Sequence, residues 1–107
     1  KSCSLNMPLF IKTEIFKPKA LALVPQTKKH YINAHKSWVN HLRSEGLNIS
    51  SGYLVDAQGK PGGGGLLVLE STDIETAKIL IRQDPMIVAG LVTWEIQEWI
   101  PVIGSLI

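Results

Sequence analysis

Residues 58–75 read QGKPGGGGLLVLESTDIE, and they hold three signals in succession. Gln58-Gly59-Lys60-Pro61-Gly62-Gly63 is turn chemistry, since glycine and proline punctuate the chain and open a hairpin. Residues 64–71 then form a strand. Leu66, Leu67, Val68 and Leu69 run without a polar break, so side chains pointing to both faces of a sheet are apolar. Ser71-Thr72-Asp73-Ile74-Glu75 closes the stretch as a helix start, with a capping oxygen and acids in the first turn, where the helix dipole favours them. A strand entered by a hairpin and left into a helix is the middle of a βαββαβ unit.

The flanks supply the rest. Residues 9–16 alternate, with Leu9, Ile11, Thr13 and Ile15 set against Phe10, Lys12, Glu14 and Phe16, and read as the first strand. Residues 17–23 are a connector. Residues 24–45 are helical, with Pro25 suited to the first turn and Gly46 to the C-terminal cap. Residues 49–57 alternate again. Ile74, Ala77, Leu80 and Ile81 mark a second helix that ends near Gln83, because Asp84 precedes proline and is pushed from helical angles. Residues 92–99 alternate as the fourth strand. The order predicts an α+β, ferredoxin-like fold: a four-stranded antiparallel sheet with two helices on one face. The helices cover only that face, so the apolar residues of strand three call for a cover on the other. A homodimer through sheet faces is the expectation, and the apolar tail, residues 100–107, is a further candidate cover.

Length and composition narrow the function classes. At 107 residues the chain is one domain, read as a disordered leader over 1–8 and a single domain over 9–107. The single cysteine, Cys3, excludes an intramolecular disulfide. No apolar run approaches the roughly 18 residues of a membrane helix, and no signal peptide is visible, so a cytoplasmic protein without membrane contact is expected. Residues 1–36 hold seven lysines and one acid, whereas residues 67–107 hold six acids and two bases. The two ends are expected to neutralise each other in the fold. RNA-recognition domains share the element order but need aromatic residues on strand three, which has none here, so no nucleic-acid partner is expected. The GxxxxGK[ST] order of a phosphate loop is absent around Lys60.

The three histidines all lie on the first helix. His30 and His41 share a face but stand about 16 Å apart along the axis, and no pair has the i, i+3 or i+4 spacing of a helical metal site. No metal and no cofactor are expected. His35 differs from the other two. It falls close to the centre of the apolar stripe formed by Tyr31, Trp38 and Leu42 and is therefore aimed inward. An inward imidazole needs a hydrogen-bond partner. It is either a satisfied core histidine or a general acid/base, a residue type suited to proton transfer near neutral pH. Asp84, locked by Pro85, is a candidate partner that would fix its tautomer, or else it only caps a local turn. Trp38 reads first as core.

His35-Lys-Ser-Trp-Val39-Asn-His-Leu42 followed by Gly46 and Ser51-Gly52, together with Asp84-Pro85-Met86-Ile87-Val88-Ala89-Gly90, resembles the YCII-related family over about residues 9–100. The resemblance implies a ferredoxin-like dimeric α+β barrel whose members carry a His–Asp pair in a pocket, at the positions of His35 and Asp84. One relative is a dehydrochlorinase of aromatic catabolism, and the wider superfamily includes muconolactone isomerases. The resemblance thus implies acid–base chemistry on a small cyclic or aromatic molecule, of lyase, isomerase or dehydrochlorinase type. The alternative is a non-catalytic small-ligand-binding or sensor module using the same pocket. Two departures stand out. Tyr53 occupies a position where many members have proline, and the glycine run 62–65 is longer than usual. Tyr53 and Trp38 are the candidate ligand-binding residues.

Overall fold

The structure, a computed structural model, describes residues 7–104 and 106. Most of the predicted leader, and Cys3 with it, lies outside the described residues. Strand β1 (Leu9–Phe16) is followed by a short helix α1 (Pro18–Leu21) and the long helix α2 (Pro25–Ser44). Strands β2 (Ile49–Val55) and β3 (Pro61–Glu70) form the hairpin, and helix α3 (Ile74–Ile81), short helix α4 (Pro85–Val88) and strand β4 (Val92–Trp99) complete the unit. The sheet is antiparallel with order β2-β3-β1-β4. It is the ferredoxin-like arrangement that the element order implies.

Direct pairing partners point to the same face. Phe10, Lys12 and Glu14 therefore share the helix-covered face with their partners Leu69, Leu67 and Gly65 on β3, which in turn pair with Ile49, Ser51 and Tyr53 on β2. Phe10, Ile49, Leu67 and Leu69 pack there against Val39 and Leu42 of α2 and Ala77 and Ile81 of α3. A second cluster, of Ala20, Met86, Leu91 and Val92, ties α1 and α4 to the start of β4.

Four local expectations give way. The connector contains α1, started by Pro18 at a position where the missing N–H is no loss. Residues 82–90 are not a plain loop: the Asp84 side chain accepts the Met86 N–H at 2.9 Å and starts the separate helix α4. The glycine run lies inside β3 rather than at the hairpin tip. The tip is Asp56–Lys60, closed by an Asp56 N–H to Lys60 carbonyl bond of 2.7 Å and by the Asp56 carboxylate accepting the Gln58 and Lys60 N–H groups. The glycines belong in the strand because β3 runs close to both neighbours. A Cβ at Gly63 would lie 2.6 Å from the Val55 carbonyl oxygen, and one at Gly64 would lie 2.2 Å from that of Glu14. Finally, the first part of the apolar tail is not a cover: Ile100, Val102 and Ile103 are 71%, 91% and 91% exposed.

Candidate functional site

Helix α2 runs across the sheet with Ala34, His35, Trp38, Val39 and Leu42 turned inward or half-buried, while His30 and His41 are exposed. His35 is thereby set above the middle of the sheet, opposite the N-terminus of α4. Its Nδ1 lies 3.0 Å from both carboxylate oxygens of Asp84. The two residues are 49 positions apart, and only the fold brings them together.

Asp84 is fully buried. Both of its oxygens are used: Oδ1 also accepts the Met86 N–H, and Oδ2 lies 3.6 Å from Nζ of Lys12. Burial pushes the Asp84 carboxyl up. The His35 hydrogen bond and charge, the Met86 N–H and the Lys12 ammonium more than offset this and hold it below the ordinary carboxylate range. Because Asp84 is an acceptor only, Nδ1 is the nitrogen that carries the proton, and the lone pair of Nε2 is left free. The Ser51 hydroxyl donates to that lone pair at 2.7 Å.

Three residues of this cluster, Lys12, Glu14 and Ser51, were not among the site residues expected from the sequence. Lys12 is 1% exposed and is bonded through Nζ to Oε1 of Glu14 at 2.5 Å. A continuous line of polar contacts therefore runs Glu14–Lys12–Asp84–His35–Ser51 across the sheet. Burying charged groups is expensive unless they are paired, and here each is.

The line borders a cavity of about 550 Å³ whose walls include Lys12, Glu14, His35, Ser51, Gly65 and Tyr53. A smaller apolar cavity of about 190 Å³ adjoins it, sharing Phe16, Ile32 and Met86 and extending to Ala20 and Leu23. Tyr53 is on the cavity wall and 69% exposed. Trp38 is elsewhere. Its ring packs against the apolar core and 5.8 Å from the imidazole, which it backs rather than faces into the cavity. Among the described residues, no group of three or more His, Cys, Asp or Glu side chains converges as a metal site would.

A family model for the YCII-related domain matches residues 9–100. The chain belongs to the YCII-related family. The matched segment includes His35, Asp84 and the whole sheet. Two solved structures have the same fold as this YCII-related chain. One is 5-chloro-2-hydroxyhydroquinone dehydrochlorinase (TftG) from Burkholderia phenoliruptrix AC1100, in complex with 2,5-dihydroxybenzoquinone. It is 21% identical, with a TM-score of 0.65 over 85% of this chain and 92% of that one. The other is an ethyl tert-butyl ether D (EthD) family protein from Bacillus halodurans C-125. It is 18% identical, with a TM-score of 0.50 over 88% of this chain and all of that one. No curated protein sequence matches the chain. No helix among the described residues is long and apolar enough to cross a membrane.

Proposed function

We propose that this YCII-related chain is a small enzyme that moves a proton on a small cyclic or aromatic molecule, with His35 as the base and Asp84 as its anchor. The observation that carries this reading is the two-sided fixing of one imidazole. Nδ1 is held against a buried carboxylate, and Nε2 is turned to a cavity large enough for a ring of a few substituents. That arrangement sets the tautomer, keeps the ring from swinging and stabilises the imidazolium formed once a proton arrives. In the reaction, an acidic proton of the ligand takes the place of the Ser51 hydroxyl at Nε2. The likeness to a dehydrochlorinase solved with a dihydroxybenzoquinone supports a compact, oxygenated ring as ligand. The adjoining apolar cavity supports a ring rather than a linear polar metabolite.

The assembly in this reading is a homodimer through the open sheet face. Ile11, Leu66, Val68 and Trp99 lie on that face with Ile15, which is 69% exposed, and the tail beyond β4 adds further apolar surface. A small chain gains core by such pairing.

The test is hydrogen–deuterium exchange at carbon. The protein is incubated in D₂O with a panel of hydroxylated and keto-substituted six-membered rings, and the ring and α-carbon protons are followed by NMR. At least one compound exchanges with the wild type and not with His35→Gln. Exchange that persists undiminished in His35→Gln removes the proposal. Binding without exchange across the panel would favour a ligand-binding module in its place.

A further inference from the structure

The acid–base reading uses His35, Asp84 and Ser51 and leaves Glu14 without a task. A lysine and a glutamate two positions apart on a strand, both turned to the helix-covered face with side chains 2% and 8% exposed, are not explained by stability. The detail that matters is the second oxygen of Glu14. Oε1 is taken by Lys12, while Oε2 has no hydrogen bond among the described residues. It is not sealed in protein either. Trp38 Nε1 is the only fully buried side-chain nitrogen or oxygen without a partner among those residues, so Oε2 opens onto the cavity that Glu14 lines.

Gly65 supports the same placement. A Cβ there would lie 2.8 Å from Oε2 and about 3 Å from Cγ and Cδ of Glu14. Gly65 has no positive φ, so its backbone does not require glycine. The missing side chain makes room for one carboxylate, on the sheet floor of the cavity that His35 overlooks.

We infer that Glu14 is the substrate anchor of this site, and that it takes a hydroxyl group on an uncharged ligand. The inference rests on the acid–base reading for the cavity but concerns recognition, not turnover. A free carboxylate oxygen on a cavity wall accepts a proton donor. A cationic donor is disfavoured, because the Lys12 ammonium is bonded to the same carboxylate and would repel it at low dielectric. An anionic ligand that reached Oε2 would meet the Glu14 carboxylate at contact, whereas Lys36, the second ammonium on the cavity wall, is exposed and screened by solvent. A neutral hydroxyl satisfies Oε2 with neither penalty, and it fixes the ring so that a second position faces Nε2 of His35.

The test compares dissociation constants measured by calorimetry or ligand-observed NMR. Hydroquinone, catechol and resorcinol supply neutral hydroxyls, 1,4-dimethoxybenzene lacks the donor, and benzoate and benzylammonium carry charge. At least one diphenol binds the wild type, and the other three probes bind more weakly. Glu14→Gln and Gly65→Ala each weaken that diphenol by about ten- to a hundredfold, the worth of one hydrogen bond to a charged acceptor. Gly65→Ala keeps every charge and only pushes the carboxylate off its seat, so it carries the test should Glu14→Gln fail to fold. Equal binding of dimethoxybenzene and the diphenols, diphenol affinity unchanged in Gly65→Ala, or no diphenol binding at all would each overturn the inference. The two proposals fail separately. Loss of deuterium exchange in His35→Gln with Glu14-independent binding leaves only the acid–base reading, and Glu14-dependent binding with no exchange leaves only the anchor.

Discussion

Strand β1 presents two unlike regions on one face. At Phe10 the helix-covered surface is hydrocarbon, with Leu69 and Ile49 beside it on the sheet and Val39, Leu42 and Ile81 of the helices over it. Two and four residues further on, Lys12 and Glu14 are buried almost as deeply, but their neighbours are Asp84, His35 and a cavity. The same strand, with the same pleat and the same overlying helix, serves packing at one end and chemistry at the other. Burial alone therefore does not mark a core. The hydrocarbon end gains free energy for each area removed from water, while the charged end gains little net and keeps its groups oriented.

The comparison can be broken by substitutions that affect one region only. The largest effect belongs to His35→Gln, which lowers the rate of proton exchange at carbon by about 10²–10⁴-fold, the usual contribution of a positioned base. The glutamine amide can still donate to Asp84, so the variant's loss of stability stays within about 1–3 kcal/mol. Phe10→Ala does the reverse. It costs about 3–5 kcal/mol of stability by emptying the hydrocarbon end, seen as a shift in the urea midpoint, while the pH profile of exchange keeps its shape. A pH profile displaced by Phe10→Ala would show that the two regions are not separable.

Asp84→Asn joins the regions and sharpens the contrast through pH. The folded carboxyl of Asp84 is held below the ordinary value of 3.8. Its stabilising contribution is therefore complete above that pH and is lost as the solution is acidified through the lower folded value. Urea titrations at a series of pH values should find wild type more stable than Asp84→Asn at neutral pH, by about 1–3 kcal/mol. The gap should close below pH 3.8. A gap that widened on acidification would reverse the sign assigned here. The smallest effect is that of His41→Ala, on the solvent side of the same helix. Its partner Glu45 is 3.4 Å away and both side chains are well exposed, so stability changes by no more than about 0.5 kcal/mol.

Much of this was legible before any coordinates. The βαββαβ order follows from alternation, from Pro25 and Gly46, and from the Asp73 cap, all of which act within a few residues. His35 could be singled out because helical periodicity turns it toward the apolar stripe. Asp84 was a candidate from its place before Pro85, to which the resemblance to the YCII-related family added, and its local capping bond and its bond to His35 are made by one carboxylate. Lys12 and Glu14 were missed because a charged residue at every second strand position ordinarily means a solvent face. The warning was present, however: they stand between Phe10 and Phe16 on the same side of β1, and two phenylalanines do not flank a wet surface. Ser51 entered only within the family-like Ser51-Gly52 stretch and with no role, being one serine of a pair on an edge strand.

The linear chain by itself determined which segments are helix and strand and in what order, because periodicity, caps and turn residues act over neighbouring positions. Only the tertiary structure decided that a glycine run serves as packing room within a strand, that Ile100, Val102 and Ile103 stay exposed beyond β4, and that five polar side chains from two strands, one helix and one turn join in a single line beside a cavity. Those outcomes depend on distances between residues up to dozens of positions apart, which local patterning does not encode.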